Sequence, residues 1–150
     1  MVPAGMPTAA ATIHKKYGKR GIPVGKSILI VDDEAHIRML LEQTLEDFED
    51  EDVEILTAEN GRKGLDAIKS EKPDLVFLDV MMPEMNGFEV CEEVKQNLNM
   101  DEVYIVMLTA KGQEFDREKG KQVGANEYMT KPFDPDAIVA TASKVLGVDV

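Results

Sequence analysis

The chain has one cysteine and no tryptophan among its 150 residues. A lone Cys91 cannot close an internal disulfide, which excludes a disulfide-built scaffold. No apolar run approaches the roughly eighteen residues that a membrane-crossing helix needs. The opening "MVPAGMPTAAATIHKKYGKR" carries its positive charges after the small residues and has no leucine-rich stretch, the reverse of a secretory leader. A cytoplasmic location and no membrane association are the default expectations.

Acidic residues are missing from positions 1–31, which hold Lys15, Lys16, Lys19, Arg20 and Lys26. Residues 32–150 carry 12 Lys/Arg against 29 Asp/Glu, a formal net charge of −17. A body of that charge repels nucleic acid, so any such contact falls to the basic tail. The 43% apolar and 31% charged composition is that of a globular chain, and the length suits one domain. Residues 1–26 are expected to be a disordered tail and 27–150 the folded domain.

A nucleotide-binding phosphate loop is also missing, although Gly25-Lys26-Ser27 invites it. That loop needs a glycine five residues earlier, where Arg20 stands, and must follow a strand and open a helix. Here it precedes the first strand.

What is present is a fivefold alternation. Short apolar runs at 27–31, 53–58, 74–79, 103–108 and 126–130 are each followed by a segment of helical period, the clearest carrying Ile37, Leu40, Leu41, Thr44, Leu45 and Phe48. Strict β-α alternation predicts a parallel sheet with helices on both faces. The first, third and fourth runs are continuously apolar and belong in the middle, whereas "VEILTA" and "NEYMT" suit edges. Right-handed crossovers then give the strand order 2-1-3-4-5, a flavodoxin-like doubly wound α/β fold. The fourth helical segment, "GQEFDREKGKQVG", has Phe115 and Val123 as anchors and an internal Gly120, so it reads as the most loosely held helix.

In this winding the carboxyl ends of the strands form the binding rim. They deliver Asp32, Asp33 and Glu34 after strand 1, Asp79 at the end of strand 3, Thr109 after strand 4 and Lys131 with Pro132 after strand 5. Taken singly, most have structural explanations: Asp33 as an N-cap, Glu34 in a first helical turn, Thr109 as an ordinary strand end, Lys131 as a surface lysine. Asp79 is the exception, because an acid closing an apolar strand is rarely buried without a partner. Carboxylates about 5 Å apart repel by about 3 kcal/mol per pair at an effective dielectric near 20, so the group needs a proton or a cation. Oxygen ligands on an open rim favour Mg²⁺, with Lys131 meeting a further anion. A carboxylate so placed is able to attack a phosphoryl group and end as an acyl phosphate, with Thr109 donating to an equatorial oxygen.

The segments "ILIVDDE", "LVFLDVMMPEMNGFEVCEEVK", "VMLTAK" and "ANEYMTKPFD", in this order from Ser27 to Leu146, resemble the receiver domain of two-component response regulators. The resemblance implies Asp79 as phosphoacceptor and Asp32, Asp33, Asp79 and the Met81 carbonyl as Mg²⁺ ligands. It implies Thr109 as the switch hydroxyl, Lys131 as the phosphoryl-contacting lysine, Tyr128 as the rotameric aromatic and a Lys131-Pro132 bond that is often cis. A histidine kinase phosphohistidine or a histidine phosphotransfer protein would be the donor. Helix 4, strand 5 and helix 5 would meet a downstream protein target, with phosphorylation-dependent dimerisation among the outcomes. Met81 and Lys111, two residues beyond the acceptor and the switch hydroxyl, would tune phosphoryl lifetime. With no room for a DNA-binding domain, the expectation is a switch that is not a turnover enzyme, either single-domain or cut from a longer chain.

Two other readings share parts of the pattern. A haloacid-dehalogenase-type phosphatase wants an acid two residues after its nucleophile, where Met81 stands. A flavodoxin-like electron carrier wants a hydroxyl- and glycine-rich loop after strand 1, where three acids stand. Met81, Met82 and Met85 read as gap-fillers and Cys91 as a buried thiol on an apolar helical stripe.

Overall fold

The computed structural model describes residues 16–17, 23–110 and 115–150. The expectations for most of the 1–26 tail, for Lys111 and for the side chain of Phe115 lie outside the described residues. Within the tail, Lys16–Tyr17 pairs antiparallel with Pro23–Val24 as a short ribbon.

Five strands form one parallel sheet: β1 (Lys26–Val31), β2 (Val53–Ala58), β3 (Leu75–Asp79), β4 (Tyr104–Ala110) and β5 (Glu127–Lys131), in the order β2-β1-β3-β4-β5. The predicted order is the observed one. Residues 27–31, 75–79 and 105–109 are buried, whereas β2 mixes buried and exposed positions and β5 is half-buried to exposed throughout. The strands with unbroken apolar runs therefore occupy the centre, as sheets covered on both sides require.

Five helices cover the sheet: α1 (Ala35–Leu45), α2 (Gly61–Glu71), α3 (Gly87–Glu92), α4 (Phe115–Val123) and α5 (Pro135–Leu146). Period-2 alternation along the strands divides the core in two. Leu29, Val31, Val76, Leu78, Ile105 and Met107 meet Leu65 and Ile68 of α2, Val90 and Cys91 of α3 and Val123 of α4. Ile28, Ile30, Leu75, Phe77, Val106 and Leu108 meet Leu41 and Leu45 of α1 and Ile138, Ala142 and Leu146 of α5. None of the helices among the described residues is long and apolar enough to cross a membrane.

Local chemistry sets the helix ends. Asn60 accepts from Lys63 N at 2.8 Å, and Asn86 and Glu89 form a reciprocal capping box, each bond 2.9 Å. Asp134 caps α5 ahead of Pro135, and Gly147 closes it in the left-handed conformation. The helix α3 runs on into a π-turn, Glu93–Asn97, as one continuous segment.

Three sequence readings change. The α1 stripe is shorter than its period implies: Leu41 and Leu45 are buried, but Leu40 is 44% exposed. The helix converts to a 3₁₀ turn at Glu46–Glu51, and the tighter turn swings Phe48 inward. Strand β4 extends to Ala110, so Thr109 lies inside the ladder opposite Thr130 and not after it. Of the three methionines, Met82 is buried and Met85 half-buried, while Met81 stands 59% exposed and fills no gap. Cys91 is buried as expected, its thiol 3.6 Å from the Val123 carbonyl and pushed up to about 12 by burial.

Candidate functional site

Parallel register brings the ends of β1, β3 and β5 to one rim. Val31 pairs with Leu78, Asp79 with Leu108 and Ala110 with Lys131, so Asp32 and Asp79 finish neighbouring strands and Lys131 reaches them from β5 across the end of β4. The Lys131 Nζ donates to Asp32 Oδ2 at 2.9 Å and to Asp79 Oδ1 at 3.1 Å, and lies 3.8 Å from Glu34 Oε1. The Lys131-Pro132 peptide is cis, as the resemblance implied.

Asp32 has no exposed surface. Its second oxygen accepts the Glu34 N–H at 2.9 Å, and Arg38 donates to its carbonyl at 2.8 Å. This turn corrects the N-cap reading of Asp33: Glu34 is the N-cap of α1, and Asp33 is left exposed at the rim. Sequence reasoning missed Arg38, and nothing in the pattern marks it beyond its position one turn into α1.

Among the described residues the rim sets the Lys131 ammonium against Asp32, Asp33 and Asp79, with Glu34 beside them. Ligand oxygens of Asp32, Asp33 and Asp79 all lie within 4.8 Å of one another, a hard-oxygen set of the kind that suits a small divalent cation. Burial, together with the charge of Asp32 and only partly opposed by Lys131, pushes Asp79 from 3.8 up to about 7. Burial pulls the Lys131 ammonium down, but the hydrogen bond to Asp32 and the charges of Asp79 and Asp32 outweigh it and leave it raised. Lys131 thus keeps its charge, and Asp79 holds its proton more tightly than an ordinary carboxyl group.

The floor of the site is main chain. Val80 N donates to the Leu108 carbonyl at 3.0 Å and Gly87 N to the Val80 carbonyl at 2.9 Å, fixing the loop that carries Met81. Thr109 is buried one residue past the partner of Asp79. By strand alternation it shares a face with Met107, whose partner Tyr128 packs into the core under α2, α3 and α4. The structure therefore assembles Asp32, Asp33, Asp79 and Lys131 directly, sets Thr109 on the same rim, and places Tyr128 deeper, beneath α4.

That geometry agrees with what the chain is similar to. Residues 28–143 match the family model "Response regulator receiver domain". The alkaline phosphatase synthesis transcriptional regulatory protein PhoP of Bacillus subtilis is 43% identical over 123 residues, 82% of this chain and 49% of that protein. The phosphate regulon transcriptional regulatory protein PhoB of Pseudomonas aeruginosa is 44% identical over 123 residues, 82% of this chain and 52% of that one. The chain thus spans about half the length of the curated relatives it matches. Among solved structures, the chemotaxis protein CheY4 of Vibrio cholerae superposes with a TM-score of 0.71 at 33% identity, covering 80% of this chain and 98% of that one. The receiver domain of a DNA-binding response regulator from Colwellia psychrerythraea does so with 0.75 at 26% identity, covering 83% and 100%. Sequence, topology and the acid-lysine rim agree, and the chain belongs to the response regulator receiver domain family of two-component systems.

Proposed function

We propose that this receiver is a phosphorylation switch in which Asp79 takes a phosphoryl group from the phosphohistidine of a histidine kinase or of a histidine phosphotransfer protein. The observation that supports it is a set of three carboxylates gathered within 4.8 Å, two of them on one lysine, with the Asp79 proton held to about 7. An Asp79 carboxylate oxygen attacks phosphorus in line, the P–N bond breaks, and the imidazole leaves as the neutral base after taking up a proton. Asp32, Asp33, Asp79 and the Met81 carbonyl would hold Mg²⁺, whose charge offsets that of the phosphoryl oxygens. Lys131 follows its contact from the Asp79 carboxylate to the phosphoryl group formed on it. The Thr109 hydroxyl donates to a phosphoryl oxygen, and the space it leaves draws Tyr128 after it. The α4, β5 and α5 face then presents a changed surface to a protein partner in the cytoplasm. A chain that works this way turns over slowly at its own acyl phosphate and is a switch, not an enzyme of metabolism.

The test is incubation with acetyl phosphate and Mg²⁺ followed by intact mass. One added phosphoryl group is expected, absent in Asp79→Asn and with chelator present. Label that persists in Asp79→Asn sinks the assignment. Continuous phosphate release at enzyme-like rates instead points to a phosphatase, a reading that the exposed Met81 in the general-acid position disfavours.

A further inference from the structure

The three acids of the rim are held to different degrees. Asp32 is anchored at every polar group. Its N–H donates to the Ala58 carbonyl at 3.2 Å, its carboxylate takes the Glu34 N–H and the Lys131 ammonium, and its carbonyl accepts from Arg38 Nη1 at 2.8 Å. Asp79 closes a strand inside the ladder and meets the same ammonium. Asp33 differs: it is exposed, and among the described residues its carboxylate makes no hydrogen bond or ion pair. Its place within 4.8 Å of the other two is therefore set by its main chain.

The carbonyl that Arg38 holds belongs to the peptide that joins Asp32 to Asp33. Arg38 is half-buried one turn into α1, and its own N–H bonds to the Glu34 carbonyl at 3.1 Å, so the guanidinium reaches back from a fixed backbone. The hydrogen bond and charge of Lys63 hold the Glu59 carboxyl below its ordinary value, and the charge of Arg38 adds to them. Arg38 thus stands between the end of β1 and the end of β2. A planar fork of several N–H donors suits that place, because one donor meets the carbonyl while the charge still faces a carboxylate. Without it the Asp32 carbonyl loses its partner and the Asp32-Asp33 peptide is held from the β2 side alone.

We infer that Arg38 is a positioning residue for the Asp33 carboxylate: by fixing the Asp32-Asp33 peptide from α1, it presents Asp33 to the divalent cation that the acid rim takes. For the cation this rests on the Mg²⁺ reading given above, and for the peptide it rests on geometry alone. Charge and geometry act in opposite directions here. A guanidinium near a cation site repels the cation, so its removal tightens binding if charge is all that it supplies. If it positions a ligand, its removal weakens binding, as the loss of groups that orient metal ligands does by about 10- to 100-fold.

The first experiment measures backbone amide NMR relaxation in the metal-free full chain for wild type, Arg38→Met and Arg38→Lys, with a melting curve to establish that each is folded. The Asp33 amide belongs to the peptide that Arg38 holds. Its order parameter should fall from about 0.85 in wild type to below about 0.6 in Arg38→Met, with Arg38→Lys between them and the β1 amides unchanged. An Asp33 amide as ordered in folded Arg38→Met as in wild type overturns the inference. The second experiment titrates Mg²⁺ into the same chains by calorimetry. Kd should rise about tenfold in Arg38→Met and about threefold in Arg38→Lys, which keeps the charge and loses the fork. Equal or tighter binding by Arg38→Met overturns the role toward the cation. Wild type that takes up no Mg²⁺ sinks the cation reading itself, while the metal-free order parameter still decides the peptide contact.

Discussion

Two glycines on neighbouring helices of one face of the sheet make close approaches of opposite kind. A Cβ at Gly87 would clash with the Asp79 carbonyl oxygen and lie 3.0 Å from Val80 Cα, both main chain of β3 and the loop after it. A Cβ at Gly120 would meet the edge of a tyrosine ring. The first contact has no route of relief, because the Asp79 and Val80 backbones are held by the β3-β4 ladder and by the bonds from Val80 and Gly87. The second meets a side chain alone. The acid rim is thereby framed by main chain, and the α4-β5 edge by a ring.

The comparison breaks most easily at Gly87. Gly87→Ala should cost at least about 4 kcal/mol in urea denaturation, in the range reserved for severe core defects, and should slow phosphoryl uptake. If this variant has wild-type stability and uptake, the rigid floor is an error. Next comes Asp79→Asn. The folded chain holds the Asp79 proton up to about 7, against 3.8 ordinarily, so Asp79 favours folding fully below pH about 4 and that advantage is lost as pH rises through 7. The interval corresponds to about 4 kcal/mol, and Lys131 losing a charged partner takes back about 1 kcal/mol. Asp79→Asn should therefore gain about 3 kcal/mol at pH 8 and almost nothing at pH 4, measured by denaturation at both pH values. Mg²⁺ should raise Tm of the wild type at pH 8 but not of this variant.

Lys131→Met should lose about 2 kcal/mol at pH 7.5, since the carboxylates then face each other without their ammonium, and Mg²⁺ should restore part of it. A neutral outcome with and without Mg²⁺ would show that the rim tolerates its charge unaided. Thr109→Ala sharpens the contrast between the two regions: a cost of about 1 kcal/mol, phosphoryl uptake by mass retained, and no response of the Tyr128 ring to it. The smallest effect belongs to Glu34→Gln, within about 0.5 kcal/mol, because its carboxylate is mostly exposed and 3.8 Å from Lys131.

What could be read from the sequence follows the same division. Strand order was legible because burial on both faces forces unbroken apolar runs at 28–31, 75–78 and 104–108, and the rim residues were legible because strand ends inherit their place from that order. The capping of α1 was not. Asp33 has the composition of an N-cap, but Asp32 turns one oxygen back onto Glu34 N and so moves the cap one residue along. Leu40 fitted a helical stripe whose last turn is not α-helical. Gly120 misled for a further reason. By propensity it weakens α4, yet in the fold it meets a ring eight residues away, and apposition of that kind leaves no trace in local pattern. The reading of α4 as loosely anchored also missed its polar ties to Gln96 and Cys91, which come from another helix.

The lysine that closes the rim stands 99 residues from Asp32 and 52 from Asp79 along the chain. During synthesis, β1 and β3 are complete long before Lys131 leaves the ribosome, so the nascent chain carries the acids without their counter-charge. Pairing of β5 with β4 is what brings the ammonium to the acids. Contacts of such separation are slow to form and carry the loop-closure entropy of most of the domain. A chain interrupted anywhere before residue 131 carries the acidic strand rim without the ammonium that meets it.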